Sequence, residues 1–488
     1  MLRTSSYFLL SVLVPAHALP AQPPLSDTVR RIAALHETVV RNGPTIGPRI
    51  WPGFRPDTIP TLYVIPRQAK LFAQWRDTLP TGFFPLPGVG DAAWTDTRVV
   101  SFPRGRPIAF LSVDAAASPG SVVGLALHEA FHAFYQAAAR PGRRFGAGEN
   151  SMLVATYPVF DIPNEAAFAL EGKLLARALR APSAVEARRL AQQFLAVRTS
   201  RHARLDSTIA EFETVAELHE GLAQYATLRG LRELALRDAA RFARDAGVAT
   251  AIETALLDSL LVVGPRSVRQ RFYATGSALA LLLDRLADSS WKERLMRDDA
   301  TLQDMLANAT GYRGREALGR PALRRIESEL SLLRRDAERA AASLDARRRA
   351  QRDSILAGPG LHLVVDPARI PRGRLDWCSF DPQNVLQTAA GELLHMRMLR
   401  VCSGPGVEAQ FDQPVLEDRK SGVLRALLGT PDAIKLTSRG TPISLPADGT
   451  TVEVSDLRIE GPTLSLVASR ATLVRRNAEL TVIPASAP

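Results

Sequence analysis

The residues best suited to catalysis form a short segment, Leu125-Ala126-Leu127-His128-Glu129-Ala130-Phe131-His132. Two histidines four positions apart share one face of a helix, so His128 and His132 can reach one zinc ion at about 2.0–2.1 Å. Glu129 lies beside them, placed to take a proton from a zinc-activated water. Two ordinary helical histidines are the alternative, but this spacing inside an apolar helix favours a metal site.

A catalytic zinc site needs a third protein ligand and leaves a fourth position for water. Residues 217–225 predict a helix with an apolar stripe and a separate acidic face, and Glu220 on that acidic face is the best candidate. A solvated acidic face would show the same pattern. Glu171 and Glu165, on an earlier helical segment, are rival candidates for the third ligand.

Two further segments resemble a known family. Glu220-Gly221-Leu222-Ala223-Gln224-Tyr225 resembles the Glu-Gly-Phe-Ala-x-Tyr motif of the aminopeptidase N and glycyl aminopeptidase families, whose glutamate is the third zinc ligand. Tyr273-Ala274-Thr275-Gly276 resembles their Tyr-x-Lys-Gly segment. The resemblance is confined to motifs within roughly residues 60–290. It implies a gluzincin-type zinc metallopeptidase in which Glu220 is a ligand and Tyr273 stabilises the tetrahedral intermediate.

The chain departs from that family in two respects. The spacing from His132 to Glu220 is much longer than in aminopeptidase N, which implies a helical insertion over residues 151–205. Those families also carry Gly-x-Met-Glu-Asn before the zinc helix. Here Gly146-Ala147-Gly148-Glu149-Asn150 follows the helix, so we interpret it as a chance match, and aminopeptidase specificity is not implied.

The order of the elements predicts an α+β protein. β-like runs at residues 61–65, 98–102 and 108–113 follow a short helix at residues 28–41, and a long, mostly helical region comes after them. We expect a zincin-like domain over residues 22–356, including a charged helical linker at 315–356. Apolar residues then alternate with a period of two, which predicts a β-sandwich-like domain over residues 361–488.

The N-terminus is typical of a secretory signal peptide. Residues 1–21 contain one basic residue, a short apolar stretch and small residues at the possible cleavage sites. The apolar stretch is about half the roughly 20 residues that a membrane anchor needs, so we expect an exported protein with no membrane span after cleavage. Export also predicts a disulfide between Cys378 and Cys402, the alternative being two buried thiols.

The formal charge of +11 does not indicate nucleic-acid binding. The arginines are scattered among acids, as in the segment from Glu186 to Glu211, where Arg198 and Arg201 are expected on solvated helix surfaces. No compact basic patch with interleaved aromatic residues is present in the sequence. The expected partner is a peptide or protein substrate, and nothing in the sequence specifies an oligomeric state.

The sequence as a whole predicts an exported, zinc-dependent peptidase, with Glu129 as general base. Two other functions stay open. The chain could be a binding or scaffold protein whose zincin-like domain does not catalyse a reaction. It could also be a metal-dependent hydrolase of a non-peptide substrate.

Overall fold

The computed structural model of this chain describes residues 27–65, 69–73, 82–83, 100–102, 106–114, 116–237, 239–264, 268–370, 373–403 and 406–485. The predicted signal peptide lies outside these residues.

The first part of the chain is dominated by helices. They are α1 (Asp27–Ile50), α2 (Pro119–Ala137), α3 (Ile162–Arg180), α4 (Ala184–His202), α5 (Ser207–Ala216), α6 (Leu222–Arg237), α7 (Ala239–Leu260), α8 (Val268–Leu286), α9 (Trp291–Arg297), α10 (Leu302–Thr310) and α11 (Arg320–Leu356). One π-helical turn, Glu217–Gly221, joins α5 to α6 and is called the π turn below.

The ends of α2 follow from the local sequence. The Ser118 hydroxyl accepts a hydrogen bond from the Ser121 amide, and Pro119 occupies the first turn, where a missing N–H costs nothing. Helix α1 runs further than expected, to Ile50 instead of residue 41. Its last turn packs closely on the following loop at Gly47, where a Cβ would lie 2.2 Å from the Phe54 carbonyl oxygen.

A small mixed sheet lies beside these helices. Its strands are β1 (Thr61–Ile65), β2 (Ala69–Ala73), β3 (Gly82–Phe83), β4 (Val100–Phe102) and β5 (Arg106–Ser112), in the order β3-β2-β1-β5-β4. Strands β1 and β5 are parallel and the other neighbours are antiparallel. Helix α2 packs against β5, α1 and α6, so the segment with the two histidines runs through the middle of the main apolar core.

The last part of the chain is a separate β module with its own apolar core. Its strands are β6 (Leu361–Val365), β7 (Trp377–Phe380), β8 (Val385–Gln387), β9 (Glu392–His395), β10 (Leu399–Cys402), β11 (Val407–Phe411), β12 (Val415–Asp418), β13 (Leu424–Gly429), β14 (Lys435–Ser438), β15 (Thr441–Pro442), β16 (Thr451–Gly461), β17 (Leu464–Arg476) and β18 (Glu479–Ala485).

The sheet of this module curls because it branches at the long strand β17. One edge of β17 pairs with β16, and its other edge pairs first with β11 and then with β18. Side chains alternate along the strand, so that Leu464, Leu466 and Ala468 are buried while their neighbours point outward. Both branches contribute to one core, and the disulfide Cys378–Cys402 joins β7 to β10.

The architecture confirms the predicted α+β class with a C-terminal β module. The expected β runs at residues 61–65, 98–102 and 108–113 correspond to β1, β4 and β5. Among the described helices, none is both long enough and apolar enough to cross a bilayer.

Candidate metal centre

Three ligand-type atoms converge at the contact between α2 and the π turn. The Nε2 atoms of His128 and His132 are 3.1 Å apart. Glu220 Oε2 lies 3.6 Å from the Nε2 atom of His128 and 3.4 Å from that of His132. All three side chains are buried. A tetrahedral site with bonds of about 2.0–2.1 Å has ligand-to-ligand edges of about 3.3–3.4 Å, so this triangle fits one metal ion.

The environment of His132 keeps its imidazole in the form that binds metal. Burial lowers the pKa of His132 to about 3, and the opposing charge of Glu220 does not reverse this, so its imidazole is neutral. The Thr227 hydroxyl donates to the Ala223 carbonyl and lies 3.5 Å from His128 Nδ1. A proton on Nδ1 facing that oxygen leaves the His128 Nε2 lone pair directed at the common point.

Glu129 and Tyr273 lie beside the His128 corner of this triangle. Glu129 is fully buried, with a carboxylate oxygen 3.8 Å from His128 Nε2. The Tyr273 ring stacks on the His128 ring, with centroids 5.8 Å apart and planes 5° from parallel. Burial, together with the negative charge of Glu220, raises the pKa of Tyr273 well above its ordinary value. The hydroxyl therefore stays protonated and can donate a hydrogen bond.

The other oxygen of Glu220 has different partners. Burial would raise the pKa of Glu220, but hydrogen bonds from the neighbouring histidines hold it well below its ordinary value. The Arg269 guanidinium binds Glu220 Oε1 and also Glu149. His219 Nδ1 lies 3.4 Å from the same oxygen, Oε1. The carboxylate thus stays ionised, with one oxygen toward the histidine pair and the other toward a cation.

Glu149, Arg269 and His219 are neighbours of the site that the sequence motifs do not predict. Glu149 was interpreted as part of a chance match, yet its carboxylate reaches the site through Arg269. Arg269 precedes Tyr273 by four residues on α8, a spacing that places both on one helix face and could have revealed it. The centroid of the His219 ring lies 4.4 Å from that of His132.

The rival ligands Glu171 and Glu165 are engaged elsewhere. Glu171 binds Arg198 and Arg201, with nitrogen-to-oxygen distances of 2.5 and 2.6 Å. Glu165 binds Arg271 through both carboxylate oxygens, at 2.8 and 2.6 Å. Of the three candidates, the structure brings only Glu220 to the histidine pair.

Arg198 and Arg201 also correct an expectation about charge. Both were expected on solvated surfaces, but each is only 1% exposed. Arg198 makes paired hydrogen bonds of 3.0 Å to Glu217, the first residue of the π turn. Thr275 on α8 donates to the same Glu217 carboxylate at 2.5 Å. This buried ionic cluster fastens the turn that carries Glu220 to α4 and α8.

Two glycines allow that turn to approach α8. A Cβ on Gly221 would lie 2.5 Å from the Gly276 Cα, and one on Gly276 would lie 2.5 Å from the Glu217 carbonyl oxygen. Tyr225 adds a second connection by donating to Asp284 on α8 at 2.7 Å. These contacts explain the glycines that follow Glu220 and Tyr273 in the sequence.

Comparisons of this chain with protein-family models, curated proteins and solved structures each found no match. Two overlapping sets of side chains have the spacing to hold a metal ion: His128, Glu129 and His132 form one, and His132, His219 and Glu220 form the other.

Proposed function

We propose that this protein is a zinc-dependent hydrolase of peptide bonds, of the gluzincin type. The observation that carries the proposal is the buried triangle of His128, His132 and Glu220, with edges of 3.1–3.6 Å. Two neutral imidazoles and one carboxylate, with room left for water, are the donor set of catalytic zinc sites. Glu129 and Tyr273 both lie beside His128 of this set, which supports roles for them as base and hydrogen-bond donor.

A zinc ion at this position would polarise the scissile carbonyl and lower the pKa of a water molecule. Glu129 then acts as general base: it accepts a proton from water as the carbonyl carbon is attacked, and it later passes that proton to the leaving amine. Tyr273 donates its hydroxyl hydrogen to the oxygen on which negative charge develops. His128 and His132 do not transfer protons in this scheme, because their Nε2 lone pairs would hold the metal.

We further propose that the protein is exported and acts outside the cytoplasm. The N-terminal sequence is typical of a signal peptide. The Cys378–Cys402 disulfide is compatible with this proposal, since such bonds persist in oxidising compartments. Peptides or proteins of that compartment would be the substrates.

The metal assignment is tested by measuring bound metal in the purified protein and in single variants. We expect one zinc ion per chain, and its loss in His132→Ala. His362 lies on β6 in the separate β module, so His362→Ala should keep the metal. A folded wild-type protein that takes up no zinc would exclude the assignment.

The activity is tested by digesting a diverse peptide library with the zinc-loaded protein. Glu129→Gln removes the base without removing a ligand, so this variant should retain zinc and fold while cleavage falls by at least about 10²-fold. A zinc-loaded wild type that cleaves no peptide, after removal of any propeptide, would favour the scaffold or non-peptide functions instead. Unchanged cleavage by Glu129→Gln would exclude the mechanism but leave the class standing.

A further inference from the structure

A cavity of about 540 Å³ opens beside the candidate metal centre, between α6, α7 and α8. Its volume lies within the usual range for small-molecule binding sites. Arg269 and Tyr273, both neighbours of Glu220, form part of its wall, and Gln224 lies one helical turn after Glu220. A group bound in this cavity is therefore next to the atoms that would carry out the reaction.

The chemistry of the wall indicates what it can bind. Ile252, Ala255 and Leu256 on α7 face Ala274 on α8, which makes much of the lining apolar. Gln224, Gln270 and Ser259 add neutral polar groups. No acidic side chain belongs to the lining formed by the described residues, so a basic group would find no opposite charge there.

Arg269 is the cation among the described lining residues, but its positive charge is already compensated by bound carboxylates. Its guanidinium binds the carboxylates of Glu149 and Glu220. An acidic side chain in the cavity would have to compete with both of these buried carboxylates. An uncharged and mainly apolar side chain needs no opposite charge and does not compete for Arg269. Its burial is favourable by about 25 cal/mol per Å² of apolar surface.

We infer that this cavity is the specificity pocket of the site and that the substrates carry a large uncharged, apolar residue next to the scissile bond. The inference rests on the proposed function, because it concerns which peptides that site cleaves. Tyr273 links the two roles, since one side chain both lines the cavity and stacks on His128.

The cavity can be filled from its exposed wall without disturbing the core. Ala255 is exposed on α7 and lines the cavity, so Ala255→Phe places an aromatic ring in it. Ala251, exposed one turn earlier on the same helix and outside this lining, provides a matched control as Ala251→Phe. Neither position belongs to the proposed catalytic machinery.

The experiment compares kcat/KM for peptide pairs that differ only in a leucine or phenylalanine against an alanine beside the cleaved bond. The wild type should prefer the larger residue by roughly 10- to 200-fold, the discrimination an apolar pocket achieves. Ala255→Phe should reduce that preference at least tenfold, with zinc content unchanged, and Ala251→Phe should retain it. A preference for acidic or basic residues, or one that Ala255→Phe does not alter, would overturn the inference while the peptidase proposal survives.

A binding measurement gives a readout that does not depend on turnover. Fluorescence anisotropy of the same labelled peptides with zinc-loaded Glu129→Gln should show the same order of affinities, and the added Ala255→Phe change should abolish it. Equal affinity for the larger and smaller residues in Glu129→Gln would overturn the pocket assignment. If the wild type cleaves no peptide at all, the proposed function fails and this inference fails with it.

Discussion

At the scale of single residues, Glu220 is the side chain on which the site depends. One of its oxygens faces the two histidines and the other is bound by Arg269. An anionic ligand lowers the net charge of a bound dication, and a cation behind it fixes the orientation of the carboxylate. Arg269 is thus a positioning residue for Glu220.

Tyr273 permits a test of transition-state stabilisation by a single atom. Tyr273→Phe removes the hydroxyl while keeping the ring that stacks on His128. We expect kcat to fall by about 10²–10³-fold, as for loss of one oxyanion donor, with little change in KM or zinc content. Steady-state kinetics and metal analysis check this. Tyr312→Phe, outside the site, should change neither quantity, and an equal loss there would point to a general effect of the substitution.

His36 makes stability depend on pH. It is buried on α1 beside Tyr63, and burial lowers its pKa from 6.5 to about 4. At neutral pH the His36 imidazole is mostly uncharged in both the folded and the unfolded chain. Below pH 6.5 the unfolded chain binds a proton that the folded chain excludes until about pH 4, so stability falls as the pH falls through this window. The loss amounts to about 3 kcal/mol.

Denaturant unfolding between pH 7 and pH 4 measures that slope. His36→Phe removes the titrating group and should flatten the acid slope, although the lost contact with the Tyr63 hydroxyl lowers stability at neutral pH by about 1–3 kcal/mol. His362→Phe should leave the slope in place because His36 is still present. An unchanged slope in His36→Phe would show that other groups cause the acid sensitivity.

At the scale of elements, the site lies where the π turn contacts α2 on one side and α8 on the other. The turn inserts a residue into the helical path, and both His219 and Glu220 contact His132 on α2. Such π turns are uncommon and are often found at functional sites. The close glycine contact of Gly221 with Gly276 sets the distance from α8.

That contact predicts a measurable effect of a single methyl group. Gly276→Ala would place a Cβ 2.5 Å from the Glu217 carbonyl oxygen and 2.8 Å from the Gly221 Cα, both backbone atoms, so α8 and the π turn must separate. We expect a stability loss of about 1–3 kcal/mol from overpacking. Zinc affinity should fall roughly 10- to 100-fold, as for other changes behind metal ligands.

Chelator competition measures the zinc affinity, and thermal unfolding measures the stability. Gly247→Ala is the matched control, since a Cβ at that helical position meets no atom within 4 Å among the described residues. It should keep full zinc affinity and gain up to about 1 kcal/mol from helix propensity. Equal zinc affinity in the two variants would contradict the role given to the glycine contact.

These elements differ in how far the sequence could predict them. The histidine pair of α2 was predictable because side chains four positions apart lie on the same face of an α-helix, which places His128 and His132 together with Glu129 beside them. The burial of Arg198 was not, because an arginine beside acids has the same local sequence on a surface as in a core. Only the long-range partners Glu171 and Glu217 distinguish the two cases. The π turn likewise depends on packing against α8.

At the scale of the whole molecule, the site and the β module belong to different cores. Helix α11 touches both parts. On the side of the β module, the Arg348 guanidinium donates to the Gln387 carbonyl and the Asp345 carboxylate accepts from the Ala389 amide. These polar contacts at the edge of the sheet are the kind that transient interfaces use, so we expect the two parts to unfold as separate cooperative units.

The disulfide offers a test of that separation. Cys378 and Cys402 have Cα atoms 5.7 Å apart and close a loop with a sequence separation of 24 residues. A loop of this length stabilises its module by roughly 3 kcal/mol in the chain-entropy model. The bond fixes edge strand β7 to β10, next to the contact between Trp377 and His395, whose ring centroids are 5.0 Å apart.

Replacing both cysteines by serine should therefore weaken the β module alone. In differential scanning calorimetry, the transition of the β module should move to lower temperature, while the transition of the helical part and the zinc content stay unchanged. The mutant and the wild type should become equal when the wild type is reduced with dithiothreitol, because the cross-link is then lost in both. If zinc retention or the helical transition falls together with the β module, the two parts form one cooperative unit, and the β module must then be treated as part of the scaffold that holds His128, His132 and Glu220 in place.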